Sequence, residues 1–189
     1  MEIWRVWQPH HYSFRFAADG AGQILLNNFF SDIPAVGIAN DGVDPELVDQ
    51  PRRWNIRFIG RFMIEFGFLS SAFDFLTFAT LLYLFWASVD IFRTAWFIES
   101  LLTELVVALV VRTRRRFYQS RPGAVLLWST VALTVLTFAI PFLPSVRILG
   151  FVPLSFGILA TLSAIAVLYI AATEILKACF YRSTRPHSG

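Results

Sequence analysis

The sequence predicts an all-α membrane protein, a bundle of about five transmembrane helices, and three observations carry that prediction. Hydrophobic residues make up 56% of the 189, and the mean hydropathy is +0.59. Charged residues are 15%, where a soluble domain carries about a quarter. The apolar residues also fall into runs, several of them close to the roughly 20 residues that cross a bilayer. The net charge of +3 could point to nucleic acid, but the arginines stand between apolar runs, which suits loop topology better than a binding face. A single cysteine, Cys179, excludes a disulfide framework and a cysteine-rich metal site. The N-terminus "MEIWRVWQPHHYSFRF" has neither the apolar core nor the cleavage pattern of a secretory signal.

Taken in order, the first candidate span covers about Gln23 to Ala39; its polar content and Pro34 suit a helix buried among other helices rather than one facing lipid. The next four cover about Ile59–Ala87, Trp96–Val111, Ala124–Leu143 and Phe156–Phe180. Two of these are longer than a span needs, so their ends extend into the interface or tilt. Basic clusters fall on every second connection. Arg52, Arg53, Arg57 and Arg61 precede one span, Arg112 to Arg121 follow another, and Lys177, Arg182 and Arg185 close the chain. The positive-inside bias then puts the C-terminus in the cytoplasm of a multi-pass protein of the cell membrane, with the lipid bilayer as its first partner.

Polar residues inside spans need a reason, because a charge at a helix centre costs about 2.5–3.5 kcal/mol on insertion scales. In "NNFFSD", Asn28 and Asp32 stand at i and i+4, so both oxygens face one side of a helix. Pro34 lacks a backbone donor and frees a carbonyl in the preceding turn. Carboxylate, amide and carbonyl oxygens suit a hard cation such as magnesium or calcium; the same residues also suit interhelical hydrogen bonds. Asp74 lies deep in the second span, where Ser70 and Ser71 could satisfy it locally or a neighbouring helix could receive it. Glu99 shares a face with Thr103, and Ser100 with Glu104; near the outer mouth, Glu99 serves an ion pathway or is hydrated. Glu174 and Lys177 read as a local ion pair. His10, His11 and His187 lie outside the spans without metal-ligand spacing.

"QILLNNFFSDIPAVGIANDGVDPELVDQPRRW" resembles the sixth membrane helix and following loop of P-type cation ATPases, in particular the bacterial magnesium-transporting branch. "FIGRFMIEFGFLSSAFDFLTF", "FRTAWFIESLLTELVV" and "VVRTRRRFYQSRP" resemble that branch's seventh and eighth helices and the basic loop after them, and "GFVPLSFGILATL" its approach to the tenth. The likeness runs from about Gln23 to Tyr181, with residues 182–189 as a tail. It implies that Asn28 and Asp32 match the family's ion-binding motif, and that Asp74 and Glu99 match acidic positions of the next two helices and are further candidate metal ligands. Magnesium enters as the family's transported ion; no cofactor and no catalytic residue is expected within this chain.

The family's phosphorylated "DKTGT" sequence and its "TGES"-like loop do not occur in the 189 residues. The resemblance therefore implies a C-terminal membrane portion that contributes to an ion site and cannot run the transport cycle alone. Its expected partner is the missing N-terminal part of a pump; the second reading is a non-enzymatic membrane protein that assembles with or regulates a separately encoded pump, and a passive channel is a third. Residues 1–22 do not match the family. Suitable codons for "MEIWRVWQPHHYSF", read from the third base, can spell an apolar fifth-helix-like sequence, so an out-of-frame N-terminus is expected. The purified chain is expected to show no metal-dependent ATP hydrolysis above a protein-free blank in a phosphate-release assay.

Overall fold

The computed structural model describes residues 8–39, 56–113 and 122–183. Among them are five α-helices and no strands: α1 (Gln8–Ala39), α2 (Ile56–Ala79), α3 (Val89–Val111), α4 (Ala124–Ala139) and α5 (Phe156–Ser183). Three stretches, Ile56–Leu84, Ala124–Phe142 and Phe156–Arg182, are long and apolar enough to cross a membrane unaided. α1 and α3 are not among them, and both carry polar residues along their length. Those residues find their place in packing.

α3 is the hub, in contact with each of the other four helices. Its Ala95, Phe97, Ile98, Leu101, Leu102 and Leu105 form the middle of the hydrophobic core. α2 and α5 pack on one another as well as on α3, whereas α1 packs on α3 and α4. The helices with the fewest buried residues carry the lipid-facing chains. On α2, Met63, Ile64, Phe68 and Phe75 are all exposed, as the wall of a bundle in lipid should be.

The helix ends follow local chemistry. α3 begins seven residues before the Trp96 expected from hydropathy, because Ser88 caps it, its hydroxyl accepting from the Ile91 amide at 3.5 Å, and Asp90 stands in the first turn. α2 runs on into a wide π turn, Thr80–Leu84. The chain then reverses through Trp86, whose φ of 48° lies in the left-handed region; such a conformation costs an L-residue roughly 1–2 kcal/mol. The Ala87 amide bonding the Leu81 carbonyl at 3.0 Å holds it there. After α4, two short 3-10 turns, Ile140–Phe142 and Pro144–Leu149, lead to Gly150, whose φ of 77° closes the second.

α1 begins at Gln8, well before Gln23, and it continues through Pro34 to Ala39. Proline at the fourth position after Phe30 leaves the Phe30 carbonyl without its helical donor. α1 is fastened at two heights. The Gln23 amide donates to the Leu149 carbonyl at 3.0 Å. Fourteen residues on, Gly37 meets the start of α4 so closely that a Cβ would lie 3.2 Å from the Leu126 Cα. At the far end of the bundle, Lys177 of α5 is buried and donates to the Val110 carbonyl at 3.1 Å and to Glu174 at 2.6 Å. The expected ion pair is present, and the same ammonium also caps α3.

Leu101 is fully buried at the hub. Leu101→Ala is expected to cost about 2 kcal/mol, the low end of the core-truncation range because lipid already solvates the lost methyls, read as a shift in unfolding midpoint in mixed micelles.

Candidate ion site

The inward face of α1 repeats at helical spacing: Gln23, Asn27, Pro34 and Gly37 are buried. A stripe of polar and small residues lets α1 approach α3 and α4 closely. Asn27 uses it fully, its amide donating to the Ser100 hydroxyl at 3.3 Å and to Glu104 Oε2 at 3.2 Å. The Ser100–Glu104 face of α3 was legible from spacing, but its partner Asn27 was not. The signal was there, since Gln23 and Asn27 are themselves four apart on the stripe.

Asn28 and Asp32, the residues singled out by the i, i+4 argument, sit about 100° around the helix and are exposed. Asn28 reaches the rim of a cavity of about 490 Å³ between α1 and α3, whose walls also include Gln23, Asn27, Arg93, Ser100 and Glu104. Asp32 shares its side of α1 with Phe29, Ile33 and Val36, all exposed apolar residues. Ser31, between them, donates to the Asn28 carbonyl at 3.0 Å. It lines a second cavity of about 370 Å³ with Ser70, Thr103, Glu104 and Tyr169. Glu104 is a wall of both cavities.

Asp74 and Glu99 come together from α2 and α3, apart from the Asn28–Asp32 pair. Asp74 lies against Glu99 and the Trp96 indole, while Ser70 lies against Tyr169. Of the two serines considered for Asp74, Ser70 is thus turned to Tyr169, and the neighbouring helix supplies Glu99 and Trp96. Glu99 is 1% exposed, so the hydrated alternative is corrected: Phe97, Ile98 and Leu101 of the core surround its turn of α3 and exclude water. Among the described residues no three of His, Cys, Asp and Glu gather as a metal cluster, and Cys179 is an exposed single thiol. Any cation held here would rely on paired carboxylates with amide, hydroxyl and carbonyl oxygens. That donor set selects hard ions.

Known proteins share this arrangement of sequence. The family described as "Cation transporting ATPase, C-terminus" matches residues 20–179. The chain is 35% identical over 164 residues to "Magnesium-transporting ATPase, P-type 1" of Salmonella typhimurium strain LT2 and of Escherichia coli K12, an alignment covering 84% of this chain and 18% of each relative. A further Salmonella typhimurium protein of the same description is 33% identical over 159 residues, or 82% of this chain. The chain thus spans about 18% of the length of the curated relatives it matches.

Truncating Asn27 to alanine removes both hydrogen bonds to α3. The expected cost is about 0.6–1.7 kcal/mol, the range for interhelical bonds in a membrane, and the Ser100→Ala background should reduce it in a double-mutant cycle.

Proposed function

Because the chain belongs to the family of cation-transporting ATPase C-terminal regions, we propose that it is the C-terminal membrane portion of a magnesium-transporting P-type pump, with Asn28 and Asp32 supplying part of the ion site. ATP hydrolysis is assigned to sequence outside these 189 residues. The cell membrane is the proposed location, with the C-terminus and the arginine-rich connections on the cytoplasmic side.

One observation carries the reading. Asp32 is exposed on a helix face otherwise occupied by Phe29, Ile33 and Val36. A carboxylate standing in lipid is costly, and intramembrane carboxylates face a bundle interior or a water-filled cavity. That face is therefore an inner surface of a larger assembly, and the helices that cover it complete the coordination around Asn28 and Asp32. Pro34 supports the same role, since the Phe30 carbonyl it frees is a third oxygen within a turn of both side chains. Magnesium is the cargo in this reading, and its partly retained hydration shell suits a site with few protein oxygens.

The covering helices belong either to the same polypeptide or to a separately made pump portion, and co-purification of the 189-residue chain with an added N-terminal pump piece separates the two. In a complete pump carrying this region, Asp32→Asn is expected to lower magnesium affinity at least about tenfold, about 1.4 kcal/mol, in proteoliposome uptake. Uptake at wild-type affinity in that variant would overturn the reading.

A further inference from the structure

Asn27 and Ser31 stand one turn apart on α1, each immediately before one of the proposed ligands, Asn28 and Asp32. Both meet the same group on α3. Asn27 Nδ2 donates to Glu104 Oε2 at 3.2 Å. The Ser31 hydroxyl, which donates to the Asn28 carbonyl at 3.0 Å, also packs against the Glu104 carboxyl. Ser100, one turn before Glu104, receives the Asn27 amide as well, at 3.3 Å. Glu104 is common to the cavity that Asn28 rims and the cavity that Ser31 lines.

The two fastenings of α1, at Gln23 and Gly37, stand outside this stretch. Pro34 frees the Phe30 carbonyl between them, so the ends do not hold the middle rigidly. Rotation there would carry the ligands with it. With the helix about 10–12 Å across, a side-chain oxygen stands roughly 5 Å from its axis, and a turn of about 20° sweeps it about 2 Å. That is the length of a magnesium–oxygen bond, about 2.0–2.1 Å, and coordination distances hold to within about 0.2 Å. A cation at Asn28 and Asp32 therefore requires the rotation of α1 to be fixed close by. Glu104 touches the residues beside the ligands, on the inward side of α1, and its Oε2 is already engaged with Asn27.

We propose that Glu104 is the positioning residue of the ion site: a single carboxylate on α3 that receives Asn27, meets Ser31 and thereby sets the rotation at which α1 presents Asn28 and Asp32. The proposal rests on the reading of those two residues as ligands. Positioning asks residue 104 for an oxygen acceptor of the right reach, and not for a negative charge. Glutamine keeps that oxygen at the same distance from the backbone, whereas alanine removes it.

In a complete pump carrying this region, Glu104→Ala is expected to raise the magnesium KM of proteoliposome uptake at least about tenfold, with the maximal rate within about twofold. Glu104→Gln is expected to restore KM to within about threefold of wild type. A direct cation ligand would lose affinity in both variants, and a merely structural residue would lower the amount of folded pump without moving KM. The rotation itself is read in the 189-residue chain with Cys179→Ser, from spin labels at Asn28→Cys on α1 and at Trp128→Cys, an exposed position on α4. Glu104→Ala is expected to shift or broaden their distance distribution in nanodiscs, and Glu104→Gln to leave it unchanged. If Glu104→Ala does not fold, Asn27→Ala removes the donor from the other helix and decides on both readouts. Unmoved label distances, equal losses in the alanine and glutamine variants, or wild-type KM in Glu104→Ala beside a weakened Asp32→Asn would each overturn this proposal alone. Wild-type affinity in Asp32→Asn would instead overturn the ligand reading, and this proposal with it.

Discussion

Hydrocarbon offers a polar group no partner, and the rest of the structure depends on that constraint. The chain answers it by placing α3, which carries Glu99, Ser100, Thr103 and Glu104, where every other helix can reach it. Glu104 receives Asn27 from α1, Glu99 meets Asp74 from α2, and the last carbonyls of α3 receive Lys177 from α5. The apolar contacts of Leu101 and its neighbours supply bulk cohesion. Each polar meeting fixes one neighbour's rotation, because lipid gives a misplaced amide or ammonium no alternative.

Much of this was legible in the sequence. The apolar runs and the alternating arginine clusters announced the helices and their order, and α4 and α5 begin where hydropathy placed them, at Ala124 and Phe156. The starts of α1 and α3 were not legible from apolarity. Ser88 sets one through its cap, and the other extends back over residues too polar to resemble a span. Pairwise spacing found the Ser100–Glu104 face, and it identified Asn28 and Asp32 as one side of a helix. It could not say which side of α1 turns inward, because that is decided by what α3 and α4 present. The meeting of Asp74 with Glu99 joins two helices across a reversal, and no spacing within one helix encodes it.

The exposed side of α1 and the buried side of α3 solve the same problem differently. On α3, carboxyls are enclosed by this chain's own helices. On α1, Asp32 stands on an outer surface of the chain, and a region spanning about 18% of its relatives' length leaves ample sequence in those relatives to enclose such a face. The family match from residue 20 to 179 includes both solutions, so Asp32 and the Asp74–Glu99 pair belong to one architectural unit.

The two fastenings of α1 have a mechanical consequence. Gln23 grips the turn after α4, and Gly37 rests on the backbone at its beginning. At about 1.5 Å per residue the anchors are roughly 21 Å apart, with Asn28, Asp32 and the proline between them. A rod pinned at both ends can bow or twist in its middle while its ends stay put. The weakened hydrogen bonding at Phe30 puts the softest point of that rod between Asn28 and Asp32, the stretch proposed to face the ion. α4, which carries no acidic residue of its own, thereby becomes the mast against which that flexing is held.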